Sequence, residues 1–484
     1  MATPIPRNVA PFTLDELARI GGGRVLQPGP EVRGISTDGR GLTPGAAFVA
    51  LVGERFDGHQ FLEQAIRGGA SAVVVSREVS VPAGVGVVLV PDTLAALGAF
   101  AGAHRARWGS TAHPAGARAV VGVAGSAGKT TTTRTVAALL RAVTEGVGRG
   151  AVHATAGNLN NAIGVPMTLL GLTEAHRFAV VEIGTNCRGE VATLSAIAQP
   201  DVGVVTTIGV EHTEGLGSLE EVAEEEGDLF ASLPVGGVAV GNADDPQVVL
   251  QLGRASAGRR VGYGQAEGAA YRITGRKPVG LEGCAVEVER EGEALALWAP
   301  LLGEAGALAA VAAVAVVEAL LGERLTEAVA EKALAGMEPL SDGRLAAVEL
   351  PDGTVVIDDS YNANPVSMRA SLRAAAELSV SLGRRLLLVL GEMRELGALS
   401  AEEHDALGVE AAAVGPAAVI AVAGDAARTA KAAAAAGAVS VFVATAEQAA
   451  VEVLARARSG DLVLVKGSRG VKMEHVVEVL RERR

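Results

Sequence analysis

VVGVAGSAGKTTTT, Val120 to Thr133, places an apolar run, a glycine-spaced loop and a threonine-rich continuation side by side. The apolar half reads as a buried strand and the continuation as the start of a helix. Glycines at 122, 125 and 128 let backbone N–H groups wrap a polyphosphate, and the helix N-terminus adds positive potential. Lys129 then reaches the β- and γ-phosphates, and the Thr130 hydroxyl can hold Mg2+. The usual pattern has a glycine five residues before Gly128, where this chain has Val123, so the loop is a variant that still ends in Gly-Lys-Thr. A glycine-rich turn with a chance lysine is the competing reading; strand, loop and helix in succession favour a nucleotide. Gly125, Ser126, Ala127, Gly128, Lys129, Thr130 and Thr131 are the expected ATP-binding segment.

Outward from this loop, further apolar runs alternate with helical segments: FAVVEIG (178–184), DVGVVTTIG (201–209) and GGVAVGN (236–242). Such alternation predicts a parallel sheet covered on both faces. Upstream lie short runs, AAFVALVG (46–53) and SAVVVS (71–76), that read as a small α/β domain ending in the linker HPAGAR (113–118). Downstream, a break near Glu338-Pro339-Leu340 precedes VVID (355–358), LLLVLG (386–391), VIAVAG (419–424) and DLVLVKG (461–467), which read as a doubly wound third domain. The expected fold is α/β in three domains, 1–115, 116–339 and 340–484: a central phosphate-loop parallel sheet, an N-terminal α/β domain and a C-terminal Rossmann-like domain. Ligands of open α/β sheets sit at the carboxyl ends of strands. Glu182, His212, Asn242, Asp244 and Asp245 fall there, and Glu182 with His212 is the expected metal site beside the loop. The acidic run from Glu220 to Asp228 reads by default as a solvated helix face.

Length and composition agree. The chain has 484 residues, 49% of them apolar, with a net charge of −13, a balance that disfavours nucleic-acid binding. Two cysteines, Cys187 and Cys284, cannot build a disulfide framework, which fits a reducing compartment. The most apolar stretch, 305–317, is too short for a bilayer and reads as a buried helix. The first residues, MATPIPRNVA, lack the basic cap and apolar core of a secretory signal. A cytoplasmic protein acting as a monomer, without nucleic acid or membrane insertion, is expected.

Beyond these physical signals, several segments resemble the Mur ligase family, and within it the branch that adds D-alanyl-D-alanine. They are GISTDGR (34–40), FVALVGERFDGHQF (48–61), GNLNNAIGVPMTLL (157–170), EIGTNCRGE (182–190), EHTEGLGSLEEVA (211–223), IDDSYNANPVSMRASL (357–372), LGEMRELG (390–397) with His404, and GDLVLVKGSRGVKME (460–474). YNANPxSM and VLVKGSR are the most specific of these. The resemblance implies that ATP phosphorylates the carboxylate of a UDP-N-acetylmuramoyl-tripeptide and that the amine of D-Ala-D-Ala displaces the phosphate. It implies catalytic roles for Lys129, Glu182 and His212, with Thr130, Glu182 and His212 holding Mg2+. Thr37, Asp38 and Arg40 would contact the uridine nucleotide, and Asn158, Asn160 and Asn161 would line the substrate path. Arg344 and Asp359 would reach ATP from the third domain. Tyr361, Asn362, Asn364, Lys466, Ser468 and Arg469 would form the rest of the substrate side.

Three departures stand out. Where the family carries a lysine that is carbamylated to ligate a second metal, this chain has Glu226, whose encoded carboxylate is expected to take the catalytic, metal-binding role. The family's HNxxN segment, which helps hold adenine, corresponds to Ala305, Gly306 and Ala309, and the usual DSR is Asp38-Gly39-Arg40. Two competing readings follow: a relative that adds a single amino acid, and a nucleotide-binding paralogue that has lost ligation.

Overall fold

In the strand Ala119–Ala124 every residue is buried, which an interior parallel strand requires because helices cover both its faces. The computed structural model describes residues 3–53, 56–111, 113–147, 150–337 and 343–482. Among these, the central sheet has nine strands, with Ala119–Ala124 paired in parallel to Phe178–Glu182 on one side and Val202–Val205 on the other. Val238–Asn242, Arg259–Gly264 and Tyr271–Pro278 continue it in parallel. At its far edge the otherwise parallel sheet ends in an antiparallel pair. Cys284–Arg290 and Glu293–Ala299 pair antiparallel, the former with alternating burial and joined to the latter through a tight turn at Glu291 and Gly292. Their alternation of apolar and polar residues was present in CAVEVER and EALALWA and is the period of a half-exposed hairpin.

Two further sheets flank this one. The first runs Arg24–Gln27, Gly86–Leu89, Ala72–Val75, Ala47–Val49, Ile35–Ser36, antiparallel only at its first pair. The third runs Ala346–Glu349, Val355–Asp359, Leu462–Lys466, Leu386–Gly391, Ala418–Val422, Ser440–Val443, and is parallel apart from its first strand. The break expected at Glu338-Pro339-Leu340 lies outside the described residues. Helix Gly303–Leu321 is long and apolar enough by composition to cross a membrane. It is instead largely buried, packed on helix Lys129–Val143 and against the central sheet.

The first and second sheets share one apolar cluster, from Phe12, Leu97 and Phe100 to Val120, Val165 and Leu194. Helix Thr93–Ser110 carries it, packing on helices Gly164–Leu170 and Glu190–Ala198. Its polar groups are satisfied across the junction: the Trp108 indole donates to the carbonyls of Thr173 and His176 at 3.1 and 3.2 Å, and His104 Nε2 lies 2.8 Å from the Leu172 carbonyl. Beneath it His153 and His176 stand with ring centroids 4.9 Å apart. Burial holds both imidazoles below their ordinary range. His176 is pushed down to about 4, with the neighbouring His153 and Arg118 charges adding to the effect.

Both rings are neutral in the folded chain at neutral pH, whereas in the unfolded chain a histidine takes a proton near pH 6.5. As pH falls from about 6.5 towards 4 the unfolded state binds more protons and stability drops. The urea midpoint is expected to decline across that window, and His176→Asn should flatten the decline; an unchanged slope in the variant would count against the pair as its source.

Candidate active site

The phosphate loop is built by clamping. Gly125 has φ +119°, and a Cβ there would lie 2.3 Å from Thr206 Oγ1, so only glycine fits against the end of the neighbouring strand. The Ser126 N–H donates to the Thr207 carbonyl at 2.7 Å, and Thr206 Oγ1 donates to the Ala127 carbonyl at 2.6 Å. Gly128 then opens helix Lys129–Val143, leaving its first N–H groups and their positive potential facing a cavity of about 430 Å³. Val123, where the usual pattern has glycine, is buried inside the strand. Lys129 Nζ donates to the Gly125 carbonyl and lies 3.9 Å from Glu211 Oε1. Burial alone would lower its pKa, but the carboxylates of Glu211, Glu226 and Glu182 outweigh it and raise it, so the ammonium stays charged.

Glu182, at the carboxyl end of its strand, accepts from Thr130 Oγ1 and from Asn160 Nδ2, each at 2.8 Å. This pair of hard oxygen donors beside the loop suits a divalent cation. The expected four-residue metal set is not assembled, however: among the described residues no group of three or more His, Cys, Asp or Glu is placed to hold an ion. His212 borders the phosphate cavity, but its ring is engaged by carboxylates, Nδ1 bonded to Glu395 of the third domain and Nε2 4.0 Å from Glu211 Oε2. Glu226 lies behind the loop, fully buried, where Oε2 accepts the Gly125 N–H at 2.6 Å. Its side chain is shorter than a carbamylated lysine and stops at the loop backbone. Burial, with the Glu211 charge beside it, pushes its carboxyl up to about 7 against the pull of Lys129. Glu226 Oε1 and Glu211 Oε1 are both buried without a hydrogen-bond partner. Added positive charge would be well placed there.

The acidic run is also corrected. Glu221 and Glu224 meet Arg188 at the surface, as a solvated face would. Glu225 is buried and accepts from the N–H groups of Gly189 and Val191 at 2.6 and 2.8 Å, fixing the turn after Glu182. Asn242, Asp244 and Asp245 do not face the phosphate cavity. Asp245 caps helix Pro246–Gly253 and accepts from Thr207 Oγ1 at 2.7 Å. All three line a second cavity of about 620 Å³ on the other side of Ala127 and Gly128. Ala305, Leu308 and Ala309 form its apolar wall, and Val366 and Ala370 of the third domain close it. Its size is that of a small-molecule site.

Of the substrate residues, Asn158, Asn160 and Asn161 all border the phosphate cavity. Asn158 is tied to Thr3 at 2.6 Å, and Asn161 Oδ1 accepts the N–H groups of Ile163 and Gly164, so its carbonyl is spent on backbone. From the third domain, Arg344, Asp359, Tyr361, Asn362, Asn364 and Lys466 reach the same cavity. Several act as anchors rather than open ligands. Asp359 accepts from Lys466 Nζ at 2.6 Å, Ser371 Oγ at 2.5 Å and the Leu345 N–H at 3.0 Å. Asn364 Nδ2 donates to the Ser126 carbonyl at 3.0 Å and to Glu211 Oε2 at 3.1 Å, bolting the third domain onto the loop. His404 is buried and accepts the Met393 N–H, a structural role.

Ser468 and Arg469 border a smaller cavity of about 230 Å³ together with Glu211, Arg394 and Glu395. These last three were not singled out from the sequence, although Glu211 precedes His212 and the other two lie in LGEMRELG. Thr37, Asp38 and Arg40 stand apart, in the loop after strand Ile35–Ser36, and line none of these cavities. Asp38 and Arg40 pair with each other at 2.8 Å.

Three family models match the chain: Mur ligase middle domain over 123–317, Mur ligase glutamate ligase domain over 343–469, and Mur ligase family catalytic domain over 31–105. The UDP-N-acetylmuramoyl-tripeptide–D-alanyl-D-alanine ligase of Escherichia coli is 36% identical, covering 97% of this chain and 98% of that protein. Its Bacillus subtilis counterpart is 33% identical over 97% and 98%. Crystal structure I of MurF from Acinetobacter baumannii aligns with a TM-score of 0.85 at 29% identity, covering 98% of this chain and 100% of that one. MurF from Thermotoga maritima, in complex with ADP, aligns with a TM-score of 0.76 at 26% identity over 93% and 97%. With relatives this similar along nearly its whole length, the chain belongs to the Mur ligase family.

Proposed function

We propose that the chain is an ATP-dependent amide ligase that joins D-alanyl-D-alanine to the tripeptide carboxylate of UDP-N-acetylmuramoyl-tripeptide, in cytoplasmic assembly of peptidoglycan precursors. The observation that carries this reading is the bolt from Asn364 to Ser126 and Glu211, which brings the YNANP segment over the phosphate loop in one cavity. On this reading residues 1–115 take the uridine nucleotide, 116–339 bind ATP, and 340–484 present the dipeptide.

The chemistry sets the order of events. A carboxylate resists attack by an amine because oxide is a poor leaving group, so it is first phosphorylated by ATP. The amine then displaces phosphate through a tetrahedral intermediate. Both steps concentrate negative charge, and positive groups stabilise them more than they stabilise the ground state. Lys129, kept protonated by its carboxylate neighbours, would bind the β- and γ-phosphates together with the helix N-terminus. Arg344 enters the same cavity from the third domain. The cavity walled by Ala305, Leu308 and Ala309 takes the adenine by shape and apolar contact, in place of the side chains that the family's HNxxN segment supplies. Asn160 orients the Glu182 carboxylate. Thr130 and Glu182 would hold Mg2+, which when bound neutralises phosphate charge; Glu226 supports the loop through Gly125 and contributes its negative charge to that site. Docking of the third domain covers the cavity and keeps water from the acyl phosphate.

Purified protein is expected to release ADP only when both the UDP-tripeptide and D-Ala-D-Ala are supplied. Release with single amino acids would favour an amino-acid-adding relative, and no release with either would favour a ligation-deficient paralogue. Lys129→Ala and Glu182→Gln should each lower kcat/KM by about 10²-fold or more. Glu226→Gln keeps an acceptor for Gly125 and loses the charge; turnover should fall by about 10-fold at limiting Mg2+, and full activity there would contradict its part in the cation site.

A further inference from the structure

The chain contains three tyrosines, of which Tyr263 and Tyr271 are buried in the central domain. Tyr361, at the end of strand Val355–Asp359, has two guanidinium groups close to its ring. The Arg344 guanidinium carbon lies 3.9 Å from the ring centroid and that of Arg469 lies 5.4 Å away. Both distances fall within cation–π range. Among the described residues, the side chains of these two arginines make no other hydrogen bond or ion pair. Most other arginines around these sites are spent on carboxylates, as Arg394 is on Glu392 and Arg369 on Glu410.

The backbone reinforces the arrangement. Arg344 sits between Gly343, at φ +71°, and Leu345, at φ +54°. The Tyr361 N–H donates to the Gly343 carbonyl at 2.9 Å, and the Leu345 N–H to Asp359 Oδ1 at 3.0 Å. A Cβ at Gly343 would lie 2.8 Å from the Tyr361 nitrogen, so the turn is pressed against the strand end. Left-handed backbone at a leucine costs energy and persists only where surrounding contacts hold it. Tyr361 therefore fixes Arg344 twice, through main chain and through ring.

The two arginines face different cavities. Arg344 borders the phosphate cavity with Lys129 and Glu182, and Arg469 borders the smaller one with Arg394 and Glu395. We propose that Tyr361 is a positioning residue whose ring holds Arg344 towards the phosphoryl group and Arg469 towards the carboxylate of the acceptor dipeptide, joining the two anion sites into one unit. The proposal rests on the ligase reading for the identity of the second anion. Guanidinium groups without carboxylate partners keep their fork of N–H donors for incoming anions, and the ring supplies orientation without using those donors.

The test is a pair of double-mutant cycles. Binding of a non-hydrolysable ATP analogue is measured by calorimetry for wild type, Tyr361→Leu, Arg344→Ala and the double variant. Tyr361→Leu is expected to weaken binding by about 5- to 10-fold, to cost nothing further once Arg344 is gone, and to be largely rescued by Tyr361→Phe. Equal losses with and without Arg344, or no rescue by phenylalanine, would overturn the proposal. The KM for D-Ala-D-Ala is read in the same way against Arg469→Ala. A wild type without dipeptide-dependent ADP release would overturn the ligase reading and the Arg469 half, while the calorimetric cycle still decides the Arg344 half. Should Tyr361→Leu fold poorly, Arg344→Lys keeps the charge but not the flat stack. It should weaken binding several-fold while Tyr361→Phe, which keeps the ring, binds as wild type does; tight binding by Arg344→Lys would count against the ring.

Discussion

The half-buried ammonium of Lys129 is the charge around which the site is arranged. Glu182, Glu211 and Glu226 surround it from three different segments, and the loop that carries it is held by the main chain of Gly125. Three carboxylates against one ammonium leave an excess of negative charge in a poorly solvated place, which is costly unless compensated. In keeping with that, burial and the Glu211 charge push the Glu226 carboxyl up, and one oxygen each of Glu226 and Glu211 is buried without a hydrogen bond. On the proposed function, a divalent cation held by Thr130 and Glu182 and a guanidinium from the third domain would supply the compensation.

The two domain junctions differ in kind. The first and central sheets share a continuous apolar cluster, and separating them would expose Leu97, Phe100 and Leu194 to water. The third domain instead meets the central one through discrete polar contacts, Asn364 to Ser126, Arg276 to Glu377 at 2.7 Å and His212 to Glu395, with a few apolar contacts such as Val210. Polar contacts of this sort exchange for water at little net cost. Separating the third domain from the central one would therefore breach no continuous apolar cluster of the kind that joins the first two.

Much of this was legible in the residues. The loop from Gly125 to Thr131 was readable because backbone anion binding demands glycine, lysine and threonine at fixed spacing, and Glu182 was readable as a polar residue at the end of an apolar strand. The acidic run was not. Glu224, Glu225 and Glu226 are consecutive and chemically alike, yet one meets surface arginine, one fixes a turn and one braces the phosphate loop. Successive residues on a helix point about 100° apart, and which directions lie inward depends on what packs there. Composition offers no hint of that. The antiparallel hairpin is harder to read for a different reason: its alternation is visible in the sequence, but parallel and antiparallel pairing depend on where the neighbouring strand comes from.

The sequence by itself determined the α/β class, the phosphate loop and the strand ends at which chemistry gathers, because these follow from local periodicity and from residue types that short-range physics requires. Tertiary structure decided the rest. Asn364, Asp359 and Lys466 became anchors, His212 turned to Glu395, Glu226 stopped at the loop backbone, and Tyr361 gathered two arginines. Each outcome depends on contacts between residues distant in the chain, where a few tenths of a nanometre separate a ligand from a brace and no local pattern records the difference.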